Sequence, residues 1–198
     1  MVSMASIVST PSAIPQHLAS ETLWYAGYTS ARHEKKVAQQ LMQRGVEHFL
    51  PLYETVRRWN NGRHRVQMPL FPSYVFVRIA LRERLRVLQI PGFVRLVGFG
   101  GLPYPLPETE IDAMREALIA GVVAEPYLYL TTGSRVEILS GPLRGVRGIL
   151  LRRQGKCRVV LSIDLIMRSV VVAVEASNIV PVHGPRHPEH ERTAASGR

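Results

Sequence analysis

Cysteine is almost absent from this chain, because Cys157 is the one thiol among 198 residues. An intramolecular disulfide is therefore excluded, which fits a reducing compartment. A zinc site built from paired cysteines is excluded for the same reason. We interpret Cys157 as a small side chain within a strand rather than as a reactive group.

Long apolar runs are also missing. No segment approaches the roughly 18–20 apolar residues that a membrane-spanning helix needs. The first twenty residues contain no lysine or arginine, and they lack the charged start and the apolar block of a secretory signal. We therefore expect a soluble, cytoplasmic protein that has no membrane partner.

Acidic residues are scarce relative to basic ones. The chain has 15 Asp and Glu against 25 Lys and Arg, which gives a formal charge of +10. This balance favours an anionic partner, nucleic acid first and a membrane surface second. A basic surface without such a partner is the alternative. Hydrophobic residues make up 46% of the chain, which is enough for a substantial core.

Recognisable catalytic motifs are absent. The sequence has no phosphate-binding loop and no serine or cysteine in a nucleophile motif. Three of the seven histidines, His183, His187 and His190, lie close together near the C-terminus, but they have no partner cysteine. We therefore predict that the protein is not an enzyme, has no catalytic residues, and binds no metal or cofactor.

Strand and helix patterns alternate through the first half of the chain. "LWYAGYT" (23–29) and "GFVRLVGF" indicate strands, and "PETEIDAMREALIAG" indicates a helix. "SARHEKKVAQQLMQRG" predicts another helix, which has Ser30 as its N-cap, Gly45 as its stop, and Val37, Leu41 and Met42 as its apolar face. Such a mixture is typical of an antiparallel sheet with helices packed on it.

The second half has a different character. Residues 131–182 contain five short β-branched runs separated by glycines, and they show no helical periodicity. The predicted fold class is therefore α+β, with a mixed N-terminal domain at 21–120 followed by a small all-β barrel at 131–182. We expect a linker at 121–130 and disordered tails at 1–20 and 183–198.

The stretch "MPLFPSYVFVRIA" (68–80) has two different faces when it is read as a strand. Val75, Val77 and Ile79 form an aliphatic face, while the opposite face carries Tyr74, Phe76 and Arg78. Periodicity leaves two interpretations of the aromatic rings. They could stay at the surface for a partner, or they could pack under the protein's own helices.

A basic hairpin is predicted just before this stretch. "VRRWNNGRHR" combines a turn signal with Arg57, Arg58, Arg63 and Arg65. Such a hairpin could contact phosphates without reading a nucleotide sequence. A solvated hairpin tip is the alternative.

Several of these segments resemble known domains. "GSRVEILSGPLRGVRGILLR" resembles the KOW motif. "WYAGYTSARHEKKV", "FPSYVFV" and "IPGFVRLVGFGGLPYPLPETEIDAM" resemble, in order and spacing, the NGN domain of NusG-type factors. The two resemblances together cover residues 22–182, so the sequence is identified as a member of the NusG/RfaH family, with an NGN domain followed by a KOW domain.

The resemblance implies three binding surfaces. The first would dock on the clamp helices of the largest subunit of RNA polymerase, and it comprises Tyr28, Phe71, Tyr74 and Phe76. The second would contact non-template or upstream DNA near the start of the first long helix, and it comprises Arg32, His33, Lys35 and Lys36. The third would meet a ribosomal protein or the termination factor Rho, and it comprises Ile163, Leu165, Ile166 and Met167. The apolar residues of this third group could instead fill the core of the barrel.

The expected function follows from the resemblance. It implies a monomeric elongation or antitermination factor that suppresses pausing or termination and recruits a second partner through the KOW domain. Asp164 replaces an aromatic contact residue of the family, which favours a specialised, operon-directed paralogue. The alternatives are a housekeeping NusG that modulates elongation and Rho-dependent termination, and a ribosome-associated KOW protein that binds RNA.

Overall fold

The computed structural model describes residues 15–59, 62–127, 133–153 and 156–182. Its α-helices are α1 (Gln16–Ser20), α2 (Glu34–Gln43), α3 (Leu85–Leu88) and α4 (Glu108–Ile119). Short 3-10 helices span Leu81–Glu83, Asp164–Ile166 and Ala176–Asn178.

The strands fall into an N-terminal and a C-terminal group, and every strand pair in the described ranges is antiparallel. The N-terminal group is β1 (Leu23–Thr29), β2 (Glu47–Phe49), β3 (Leu52–Trp59), β4 (Gly62–Pro69), β5 (Tyr74–Ile79), β6 (Phe93–Leu96), β7 (Gly98–Phe99), β8 (Leu102–Pro103) and β9 (Pro105–Leu106). The C-terminal group is β10 (Ala124–Tyr127), β11 (Arg135–Ile138), β12 (Arg147–Arg153), β13 (Lys156–Ile163), β14 (Arg168–Val174) and β15 (Ile179–Pro181). The predicted α+β class is confirmed.

The central sheet of the N-terminal domain has the strand order β2-β5-β1-β6, and β9 also pairs with β1. One face of this sheet carries the aliphatic side of β5. Val75, Val77 and Ile79 are buried there in one cluster with Val37 and Leu41 of α2. The predicted aliphatic face is therefore confirmed, and helices cover it.

The opposite face of the sheet carries the aromatic side of β5. The register places Phe76 opposite Ala26 and places Arg78 opposite Trp24. Helix α4 covers this end of the sheet, since Ile111 is fully buried in the same cluster as Trp24 and Phe76. The Arg78 guanidinium pairs with Glu47 at 3.4 Å and with Glu108, at the start of α4, at 3.0 Å.

Two details of α2 differ from the prediction. The N-cap residue is His33 rather than Ser30, and no side chain caps the helix. Met42 was expected on the apolar face, but it is 65% exposed, because it lies beyond the stripe that Val37 and Leu41 define. The predicted stop is confirmed, since Gly45 has φ +64°, a left-handed conformation that glycine adopts without strain.

The C-terminal sheet has six strands in the order β10-β14-β13-β12-β11-β15. Five were predicted, and the sixth is β10, which occupies the expected linker and pairs with β14. Residues 15–20 were expected to belong to a disordered tail, but α1 is helical there and Leu18 packs against the cluster of α2 and β5. Cys157 lies half-buried in β13, opposite Val174, as interpreted.

The two domains share one hydrophobic cluster. Phe71 and Phe76 of the first domain belong to the same buried cluster as Val159, Ile163 and Val170 of the second. Helix α4 contributes to it as well. Within the ranges that the structure describes, no helix combines the length and apolar character that a membrane span requires.

Candidate functional site

The expected aromatic surface begins with two tyrosines. Tyr28 of β1 and Tyr74 of β5 are directly opposite in the register, and their ring centroids lie 5.5 Å apart in an edge-to-face arrangement. Both are half-buried. Arg95 of β6 pairs with Tyr28 and places its Cζ 5.5 Å from the centroid of that ring. The two tyrosines and Arg95 therefore form one polar-edged aromatic patch at the end of β1 remote from Trp24.

The two phenylalanines of the expected surface lie deeper. Phe71 is 1% exposed and Phe76 is 0% exposed, so the expectation of surface rings is wrong for both in this arrangement. Phe76 contacts Phe71 edge-to-face at 5.7 Å and stacks on Phe49 at 6.2 Å. Aromatic pairs of this geometry gain energy beyond simple burial. Phe76 therefore supports the patch from beneath.

The KOW residues that were expected to bind a partner face this same patch. Ile163 and Ile166 are buried, and Leu165 packs against the shared cluster. Met167 is 63% exposed and has φ +49°, at the tip of the turn before β14. Two of the predicted binding surfaces thus share one buried cluster, which also contains the interior of the C-terminal sheet.

One direct contact joins the two surfaces. The Cζ atom of Arg168, the first residue of β14, lies 5.9 Å from the centroid of the Tyr74 ring. A cation over an aromatic face is attracted by the ring quadrupole. The second domain therefore partly covers the tyrosine patch of the first.

Glu34, which the sequence did not single out, stabilises the turn that carries Phe71 and Tyr74. Ser73 has φ +68°, and its backbone N–H donates to Oε1 of Glu34 at 2.7 Å. Glu34 is only 5% exposed, and it lies in the first turn of α2. Ser73 also accepts a hydrogen bond from the backbone N–H of Thr29 at 2.8 Å. A glutamate early in a helix normally indicates a favourable helix dipole interaction, so only the tertiary structure reveals this role.

The four basic residues expected to touch DNA lie around the start of α2, and all are exposed. Lys35 differs from the others, because its Nζ donates to the backbone carbonyl of Gln67 in β4 at 2.7 Å. His33 places Nδ1 3.0 Å from the carbonyl of Ala31. Lys35 therefore links α2 to β4, at the base of the hairpin that β3 and β4 form. Within the described ranges, the charged groups of Arg32 and Lys36 make no side-chain hydrogen bond and no ion pair.

The basic hairpin is formed by β3 and β4, as predicted, and its four arginines are exposed. Arg58 lies directly opposite Arg63, and Arg65 lies opposite Val56 two residues further along, so these three arginines share one face. Arg57 lies opposite His64 on the other face. Like charges directly across a strand pair are destabilising, so an anion between Arg58 and Arg63 would relieve their repulsion, while Arg65 lies 4.0 Å from Glu54 on the same face.

Across the described part of the chain, no group of three His, Cys, Asp or Glu side chains could hold a metal ion. The predicted cluster His183, His187 and His190 lies outside the described residues. Burial, and secondarily the negative charge of Glu21, raises the pKa of Tyr25, which is fully buried beneath the central sheet.

These features define an α+β protein with separate N-terminal and C-terminal sheets, a basic hairpin, and an aromatic patch that the C-terminal part partly covers. The family model described as "Transcription termination factor nusG" matches residues 22–115. The transcription termination/antitermination protein NusG of Lactococcus lactis is 27% identical over 170 residues, which cover 79% of this chain and 91% of the relative. NusG of Streptomyces griseus is 33% identical over 147 residues, which cover 60% of this chain and 50% of the relative.

The fold agrees with these sequence matches. A solved structure that describes domain interaction in Thermotoga maritima NusG superposes with a TM-score of 0.55 at 21% identity, and it covers 83% of this chain and 99% of that one. The chain is therefore similar to NusG proteins in sequence, with residues 22–115 as the segment that the family model matches, and it is similar to one of them in fold. The relatives named above are transcription termination/antitermination proteins.

Proposed function

We propose that this chain binds RNA polymerase through the patch of Tyr28 and Tyr74, supported by Phe71 and Phe76, and that the clamp helices of the largest subunit are the docking site. The observation that carries the proposal is the tyrosine pair, which lies within the family-matched segment at the end of β1 away from α4. Aromatic rings with few rotatable bonds are the residues that dominate the centres of interfaces.

Polymerase binding then requires the two domains to separate at this patch. Arg168 lies over Tyr74, and Ile166 is buried in the same cluster as Phe76. Separation would uncover the tyrosines and, at the same time, the KOW residues Ile163 and Leu165. The second partner, a ribosomal protein or Rho, would bind those KOW residues.

The basic residues would contact non-template or upstream DNA once the chain is on the polymerase. Arg58, Arg63 and Arg65 offer three exposed guanidinium groups on one face of the hairpin. Arg32 and Lys36 add positive charge near the start of α2. Contacts of this kind position a protein on the phosphate backbone without reading bases.

The effect on transcription would be suppression of pausing or termination, on a restricted set of operons. A housekeeping NusG would instead support termination by Rho. Transcription in vitro on a Rho-dependent template separates the two, because the proposal expects readthrough to rise when the chain is added. A fall in readthrough would assign the chain to the housekeeping role.

The polymerase contact is tested by capture of core RNA polymerase on the full chain after treatment with RNase. Tyr28→Ala combined with Tyr74→Ala should weaken capture by about tenfold or more, the usual effect of losing interface anchors. Phe99→Ala with Tyr104→Ala is the matched control, since these rings are 66% and 55% exposed and pair edge-to-face at 5.8 Å elsewhere on the domain.

Two outcomes would contradict the proposal. Equal effects of the two double variants would mean that the tyrosine patch is not the contact. Capture that disappears with RNase, and is indifferent to the tyrosines, would favour the ribosome-associated RNA-binding alternative.

A further inference from the structure

A cleft of about 440 Å³ lies between helix α4 and the C-terminal sheet. Helix α4 presents Ala113 and Ala117 to it, one turn apart, and these small side chains leave the space open. Val146, Ile163 and Val170 line the opposite wall. Ligand sites in proteins are typically apolar cavities of roughly 300–1,000 Å³ and are frequent at domain interfaces.

Few polar groups line the cleft, and its two arginines differ in whether they pair with a carboxylate. Arg147 already forms an ion pair, because its Nε donates to Oε2 of Glu137 at 3.0 Å. Arg144 is exposed, and in the described ranges it lies within ion-pair distance of no carboxylate. Glu110 lines the same cleft. The cleft therefore joins an apolar interior to one available cation.

We propose that this cleft binds a small amphiphile with a single negative charge, such as a medium-chain carboxylate. The apolar body would lie between Ala113 and Val146, and the anionic group would pair with Arg144.

Such a ligand would contact both domains at once. A molecule that binds only the packed arrangement stabilises that arrangement in proportion to its concentration and affinity. The ligand would therefore oppose separation of the domains and keep the tyrosine patch covered. This regulatory consequence rests on the proposed polymerase contact, whereas binding in the cleft needs no polymerase.

Calorimetric titration of the full chain with octanoate tests the site, and 1-octanol serves as the uncharged probe of equal length. We expect saturable octanoate binding at one site per chain. Ala113→Trp, which fills the cleft, should abolish it, while Glu116→Trp, on the exposed side of the same helix, should leave it unchanged. Arg144→Gln changes an exposed residue, so it spares folding, and it should weaken octanoate about tenfold without affecting octanol.

Saturable octanoate binding that survives Ala113→Trp, or no saturable binding at all, would overturn the site. Equal affinities for octanoate and octanol, or no effect of Arg144→Gln, would overturn the anionic ligand class. Octanoate should also reduce capture of core polymerase by the wild-type chain but not by Ala113→Trp. Binding in the cleft without that reduction would overturn the regulatory consequence alone. Loss of polymerase capture in every sample would instead count against the proposed function.

Discussion

The guanidinium carbon of Arg168 lies 5.9 Å from the centre of the Tyr74 ring, although the two residues belong to different domains. The contact lies at the edge of the shared cluster, where Tyr74 is half-buried and Arg168 is exposed. A cation–π contact at such a site is worth about 0.5–1 kcal/mol. It helps to hold the domains together, and it is weak enough to be exchanged for another partner.

Removing that cation should therefore favour the separated arrangement. Arg168→Gln is expected to raise the affinity for core RNA polymerase about two- to fivefold, which corresponds to the loss of one exposed cation–π contact. Titration of labelled chain with polymerase measures the change. Arg82→Gln is the control, because Arg82 is an exposed arginine on the 3-10 helix after β5 and lies outside the tyrosine patch and the domain contact. Equal effects of both changes would argue against coverage by the second domain.

The alternation of β5 predicted two faces correctly, but it could not predict how each face is covered. The aliphatic residues Val75 and Val77 pack on helices, as expected. Periodicity left open whether the Phe76 ring lies at the surface or packs inside, and the ring is buried because Phe49, Phe71 and residues of the distant C-terminal sheet surround it. Periodicity describes the direction of a side chain, whereas burial also depends on segments far away in the chain.

The hairpin arginines should differ according to the face they occupy. Arg58→Gln combined with Arg63→Gln removes two guanidinium groups that lie opposite each other. The number of counterions released when the chain binds duplex DNA should fall by about two, because each lost phosphate contact lowers the salt-dependence slope by roughly 0.9. Fluorescence anisotropy over a series of salt concentrations gives the slope of the logarithm of the binding constant against the logarithm of the salt concentration.

A charge-matched pair provides the control for this experiment. Arg57→Gln with Arg82→Gln lowers the net charge equally, but it spares the Arg58 face, since Arg57 lies on the other face and Arg82 lies on the 3-10 helix after β5. Its slope should change by less than about one counterion. If both pairs lower the slope equally, DNA responds to total charge rather than to this face.

Glu34 should act as a structural anchor for the turn that carries Phe71 and Tyr74. Glu34→Met keeps the approximate size of the side chain but removes the hydrogen-bond acceptor. Because the N–H of Ser73 then loses its partner, the free energy of unfolding should fall by about 1–3 kcal/mol. Urea unfolding measures this loss. Glu34→Gln should recover much of it, because the amide oxygen can accept the same bond, while Glu116→Met on exposed α4 surface should have little effect. A Met variant as stable as the wild type would exclude the anchor.

The anchor illustrates what the sequence could not provide. The helix beginning near Glu34 and the glycine that ends it were predictable from local patterns. The φ of +68° at Ser73 was not, because serine rarely adopts that conformation without tertiary support. Lys35 is similar, since the family resemblance implies a DNA contact there, whereas the bond from its Nζ to the backbone of Gln67 was not predictable from local sequence. Local sequence predicted the elements, and long-range hydrogen bonds determined the roles of these side chains.

Tyr25 should make the fold sensitive to alkaline conditions. Burial raises the pKa of its phenol above the ordinary 10.0, so above about pH 10 the unfolded chain loses this proton while the folded chain keeps it. The unfolded state then binds fewer protons, and the free energy of unfolding falls as the pH rises. Tyr25→Phe removes this contribution. The urea midpoint should therefore fall less between about pH 8 and about pH 11 in the variant than in the wild type.

The same substitution makes a second prediction near neutral pH. The hydroxyl of Tyr25 is buried and has no hydrogen-bond partner among the residues that the structure describes, so its removal leaves no acceptor or donor orphaned. Tyr25→Phe should therefore be as stable as the wild type at about pH 8, or slightly more stable. Tyr104→Phe, at a ring that is 55% exposed, should keep the full alkaline loss. If Tyr25→Phe and the wild type lose stability equally at high pH, the buried phenol is not the group responsible.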